Sequence, residues 1–127
     1  PHSGSFYPGE FLTSAQLPIS DLRKLEDCFV DELWNFAPDY GAPILSVNYA
    51  RAYVDVNRSA WELDADMFCG ATPLPQLLES AKAKAGLGSI PQIVAQNQNI
   101  YGGKIDFAEA SRRIHADTGH FTQHWPR

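Results

Sequence analysis

Residues 51–58 read RAYVDVNR: the β-favouring side chains Tyr53, Val54 and Val56 are interrupted by Asp55, and the run stops on an amide and a guanidinium, Asn57 and Arg58. An alternation of period two predicts a strand over residues 53–56, with Tyr53, Asp55 and Asn57 on one face and Val54, Val56 and Arg58 on the other. Residues 44–47, ILSV, form a second predicted strand just upstream, and Arg51 lies between the two. Open α/β sheets hold their ligands at strand ends. A planar guanidinium beside an amide can fork onto a carboxylate there, with Asp55 orienting either partner. An ordinary strand-end ion pair would use the same residues equally well.

Upstream, Leu22, Leu25, Phe29, Leu33 and Phe36 recur every three to four residues, which predicts an amphipathic helix over residues 21–37, capped by Ser20 and stopped by Pro38 and Gly41. Arg23, Asp27 and Asp31 share a second stripe on it. Two stacked carboxylates repel unless a cation stands near, so the stripe suits a site; it equally suits a solvated face with an Arg23–Asp27 pair. Residues 1–18 read as a loop leaving a strand and crossing the surface. His2 stands at that exit, where it is either a ligand or a turn residue.

Downstream, residues 61–75 carry Gly70, Pro73 and Pro75 and read as irregular, and residues 77–85 as a short helix ending at Gly86. Residues 92–95 and 99–101 suggest a small hairpin. Asp106 and Glu109 resemble a capping box opening a helix through Phe107, Ala110 and Ile114. Lys82, Lys84 and Lys104 read as solvated charges. AGLGS lacks the spacing of a phosphate loop and the GK that follows one.

The 127 residues, 44% hydrophobic and 20% charged, suit one globular domain with its own core. Ten Lys and Arg against fifteen Asp and Glu, with no polybasic cluster, exclude a nucleic-acid partner and an anionic lipid surface. Neither a membrane span nor a secretory leader is visible, so a cytoplasmic location is expected. Cys28 and Cys69 are read as reduced thiols. The first residue is Pro1, and PHSG looks like the exit of a strand whose beginning lies upstream.

In order along the chain stand PHSGSFYP, LRKLEDCFVDELW, GAPIL, RAYVDVNR, ELDADMF, AGLGSIP, IYGGK and EASRRI. Together, from Pro1 to about Asp117, they resemble the consecutive signatures of the N-formylglutamate amidohydrolase family. That resemblance implies a metal-dependent hydrolase related to zinc carboxypeptidases and aspartoacylases, an α/β fold with a mixed or mainly parallel sheet flanked by helices, and this chain as its N-terminal portion. The reaction implied is hydrolysis of N-formyl-L-glutamate to formate and glutamate in histidine breakdown. Carried over position by position, His2 and Asp27 would be ligands of a divalent metal, with Zn²⁺ expected, and Asp31 and Asp55 would orient their neighbours. Asn57 and Arg58 would hold the substrate carboxylate, with Arg51 as a second clamp. The acid/base group would lie beyond residue 117. A related N-acyl amino acid amidohydrolase and a noncatalytic carboxylate-binding remnant are the competing readings.

The chain departs from the family pattern at Lys82 and Gln92, where the relatives carry Arg, which loosens the expectation about substrate. It departs further after Ile114, where the family continues with Tyr, Pro, an aromatic and His. This chain instead reads HADTGHFTQHWPR. Taken literally, His115, His120 and His124 form a metal-binding tail. A one-base shift in a plausible coding sequence turns TGHFTQHWPR into YWPFHPALAT, the family's continuation, so residues 118–127 are expected to be an out-of-frame tail. The nucleotide sequence past Asp117 tests this; codons that cannot yield that continuation in the shifted frame would refute it.

Overall fold

A computed structural model describes residues 2–70 and 77–119 of the chain. The elements run α1 (Gly9–Ser14), α2 (Ile19–Leu22), α3 (Val30–Leu33), β1 (Phe68–Cys69), α4 (Ala81–Lys84), β2 (Ile93–Val94), β3 (Gln98–Asn99), β4 (Ile105–Asp106) and α5 (Phe107–Gly119). Strands β1 and β4 pair in parallel, and β2 and β3 pair antiparallel. This is a mixed α/β arrangement. Among the described residues no helix is long and apolar enough to cross a membrane.

The single helix expected over residues 21–37 is instead broken. After α2 the chain makes one tight turn, Arg23–Leu25, then becomes extended at Glu26 and takes a left-handed conformation at Phe29 (φ 65) before α3. The cause is polar capture from outside the segment. Tyr7 donates to the Glu26 carboxylate, and Arg51 donates to Asp27, so neither acid is left on a helical stripe. Asp27, Cys28, Phe29 and Val30 are also weak helix formers. Only Leu22 of the apolar stripe is fully buried; Phe29, Leu33 and Phe36 are exposed. Ser20 lies inside α2, and Pro18 occupies the cap position in its place.

The two strands expected over residues 44–47 and 53–56 do not form. Tyr53 and Val54 both donate their amides to the Ala50 carbonyl, which winds residues 50–54 into a turn, and Asp55 donates to Ser89. Ala50, Ala52, Tyr53, Val54 and Asp55 are all buried, so the inside-outside alternation is replaced by burial on every side. What remains of a sheet here is one parallel bridge, Phe6 to Tyr49.

Several local expectations hold. The helix expected over residues 77–85 shortens to α4, where the Ser80 hydroxyl accepts from the Ala83 amide. Gly86 (φ 81) ends it, with Gly86 bonding back to Ala83 and Leu87 to Lys82, the paired closure that a left-handed residue permits. Gly88 is required for space, since a Cβ there would sit 2.4 Å from the Glu62 carbonyl. The hairpin forms with Ile93 opposite Asn99 and Val94 opposite Gln98. Asp106 caps α5 through the Ala108 amide at 3.1 Å, whereas Glu109 reaches forward to Arg112 and Arg113. Asp106→Ala should cost about 1 kcal/mol in urea unfolding, the usual worth of a lost helix cap; no change in midpoint would refute the cap's role.

The core gathers Phe11, Leu22, Leu63, Ile90 and Ile100 from α1, α2 and the loops between, with Ala110 and Ile114 of α5. Arg113 lies inside it, 1% exposed. Its guanidinium sits 5.0–5.7 Å from the ring centres of Phe11, Tyr53 and Tyr101 and donates to the Tyr101 hydroxyl at 2.6 Å. This packing ties α5 to the turn that carries Arg51 and Asp55.

Candidate active site

The first segment is laid against residues 47–50 by two hydrogen bonds, Phe6 amide to Asn48 and Ala50 amide to Phe6, each 3.0 Å. Gly4 makes the approach possible, because a Cβ there would stand 2.2 Å from the Tyr49 carbonyl oxygen. This contact sets His2, buried, over the turn formed by residues 50–54.

Arg51 is the hub of what results. Its guanidinium donates to Asp27 through Nη2 and to His2 Nδ1 through Nε at 3.3 Å, and Nε lies 3.9 Å from Asp55 Oδ1. His2 Nδ1 is also 3.4 Å from Asp55 Oδ1. Nδ1 cannot donate to Asp55 and accept from Arg51 at once. With the Nδ1 proton turned toward Asp55 in place of the bond from Arg51, the free lone pair would fall on Nε2. Nε2 is buried and has no hydrogen-bond partner among the described residues.

Asp55 is fixed from the other side as well. The Asn57 amide donates to Oδ1 at 3.0 Å and Arg58 Nε stands 3.9 Å from Oδ2. Burial pushes the Asp55 carboxyl up, but the bonds from His2 and the Asn57 amide and the charge of Arg51 outweigh it and hold the group below the ordinary carboxylate range. A carboxyl lowered by folding stabilises the native state above its unfolded value and ceases to do so as pH falls through the folded one. The protein should therefore lose stability as pH falls below about 4, and Asp55→Asn should flatten that limb of the curve. An unchanged acid limb in the variant would contradict the assignment.

The structure thus brings together His2, Asp27, Arg51, Asp55 and Arg58, and places the Asn57 backbone on the same carboxylate. The Asn57 side chain is exposed. Asp31, exposed on α3, takes no part in the cluster, because the break at Phe29 separates it from Asp27. Arg23 pairs with Glu26 at 3.2 Å rather than with Asp27. The interaction of Tyr7 with Glu26 is invisible in the sequence pattern. Burial first, then that bond, pushes the Tyr7 hydroxyl well above the ordinary phenol range, so it stays protonated and acts as a donor. Lys82, exposed on α4, and Gln92 make no hydrogen bond to the cluster. His115 meets Trp61 edge-on at 5.9 Å; His120 and His124 lie outside the described residues.

The donor chemistry suits a cation in part. A buried imidazole nitrogen with no hydrogen-bond partner among the described residues and the Asp27 carboxylate, both within reach of one guanidinium, are a reasonable pair of ligands. Among the described residues, however, no group of three or more His, Cys, Asp or Glu side chains is placed to hold a metal ion.

The family model for N-formylglutamate amidohydrolase matches residues 1–117. Among solved structures, the crystal structure of N-formylglutamate amidohydrolase from Ralstonia eutropha JMP134 matches with a TM-score of 0.84 and 35% identity, over 97% of this chain and 44% of that one. No curated protein matches. The chain spans less than half the length of that relative. It belongs to the N-formylglutamate amidohydrolase family.

Proposed function

We propose that this chain carries the substrate-binding half of a metal-dependent amidohydrolase that cleaves N-formyl-L-glutamate to formate and glutamate, the reaction expected in histidine breakdown. The reading rests on the buried His2 Nε2, without a hydrogen-bond partner among the described residues, beside the Arg51 and Asp55 side chains, with Arg51 holding Asp27. His2 and Asp27 would hold the divalent ion, Zn²⁺ on the chemistry of an imidazole–carboxylate pair, and Asp55 would fix the imidazole tautomer. When bound, the ion supplies Lewis acidity to the formyl amide and the attacking water. Arg58 and Arg51, with Asn57, would neutralise and orient the substrate carboxylates, whose burial without partners would be costly.

Calorimetry with Zn²⁺ and with N-formyl-L-glutamate, alongside a formate-release assay, tests this reading. Substrate binding that strengthens with Zn²⁺ supports it; binding of neither ligand would refute it. A second reading, a noncatalytic carboxylate binder, is favoured by the lack, among the described residues, of three or more side chains placed to hold a metal ion. Glutamate binding independent of metal and without turnover would select it, and comparison of formyl, acetyl and succinyl glutamate would separate a related amidohydrolase.

A further inference from the structure

Residues 29–45 turn their large apolar side chains outward. Phe29, Leu33, Trp34, Phe36, Tyr40 and Leu45 are all exposed, Leu33 by 68% and Tyr40 by 84%. Three of the rings form a continuous tier: Trp34 stacks on Phe36 at 5.8 Å between centres, and Phe36 meets Tyr40 edge-on at 6.1 Å. Single exposed apolar residues are ordinary, but a run of touching aromatics marks a surface that something covers. Phe29 points the same way, since its left-handed backbone, disfavoured for any residue with a Cβ, turns the ring out of the core.

The chemistry of the rim narrows the occupant. Residues 29–45 hold Asp31, Glu32 and Asp39 and no Lys, Arg or His, and all three acids are exposed. A second copy would bring like charges together in a chain that already carries −5. The occupant should instead offer an apolar centre with a basic edge.

We propose that this face docks the rest of the amidohydrolase fold, the part corresponding to the more than half of the Ralstonia eutropha chain that lies outside the match. Two further observations converge on that occupant. The parallel pair β1–β4 is two residues deep, whereas parallel strands normally lie inside larger, covered sheets. The face also begins two residues after Asp27, the acid that Arg51 holds, so it adjoins the side-chain cluster in the chain. The inference rests on family membership and not on the metal reading.

The test is co-expression of the affinity-tagged 127-residue chain with a polypeptide made of the unmatched part of the Ralstonia eutropha protein. The wild-type chain should retain that partner at one to one. Leu33→Asp with Trp34→Asp should retain it at least about tenfold less, since two apolar anchors are lost, and Leu33→Met with Trp34→Phe should behave as wild type. Circular dichroism of the double Asp chain alone should match wild type, because both side chains are exposed without the partner. Equal retention by wild type and the Asp variant, or no retention by wild type, would overturn the proposal. So would self-association of the chain that the Asp variant abolishes, which would assign the face to a second copy. Formate release by the pair is read separately: retention without formate supports the docking and counts against the hydrolase reading.

Discussion

His2→Ala is expected to weaken Zn²⁺ binding by at least about a hundredfold, measured by calorimetry at neutral pH, because it removes one of the two side chains proposed as ligands. The effect should exceed that of Asp55→Asn. Asp55 would act through His2: a bond to Nδ1 would select the tautomer that leaves Nε2 free, and groups of this kind usually change metal affinity by about ten- to a hundredfold. Asp27→Asn should fall near His2→Ala, since the amide keeps the size of the carboxylate and loses its charge. Equal affinities in wild type and His2→Ala would show that the buried imidazole is a packing residue.

Arg113→Ala is expected to cost about 3–5 kcal/mol of stability in urea unfolding, the range for breaking a buried charged contact from one side. The substitution leaves the buried Tyr101 hydroxyl without its donor, removes one of the two guanidinium partners of Glu109, and opens space between three aromatic rings. Burial raises the Tyr101 pKa against the opposing effect of the guanidinium, so this hydroxyl stays neutral and receives the Arg113 bond. Arg113→Met combined with Glu109→Gln should recover much of the loss, because apolar packing replaces the pair and no charge is stranded. A loss below about 1 kcal/mol for Arg113→Ala, the level of an exposed ion pair, would contradict the burial seen here.

What was legible in the sequence was local. The Asp106 cap, the Gly86 stop and the hairpin around residues 95–97 follow from chemistry contained within a few neighbours, and the structure keeps each of them. The family resemblance, spread over eight short motifs, is confirmed across residues 1–117. Periodicity failed where distant partners outbid it. The apolar stripe over residues 21–37 is present, yet Tyr7 and Arg51 draw Glu26 and Asp27 out of register, and the break at Phe29 carries Asp31 away from the cluster. The alternation in YVDV is likewise present, but residues 50–54 close a turn on the Ala50 carbonyl, and that turn is what aims Arg51 and Asp55 at His2. Arg51, which the family resemblance implies as a second clamp, also holds contacts 24 and 49 residues away that no local pattern shows.

Zinc-edge X-ray absorption on the chain carrying His115→Asn, His120→Asn and His124→Asn isolates the metal environment of His2, which is then the sole imidazole. A histidine nitrogen is expected at about 2.0–2.1 Å in the metal's coordination, and it should disappear on adding His2→Ala. A spectrum with oxygen neighbours only, identical in the two proteins, would contradict it.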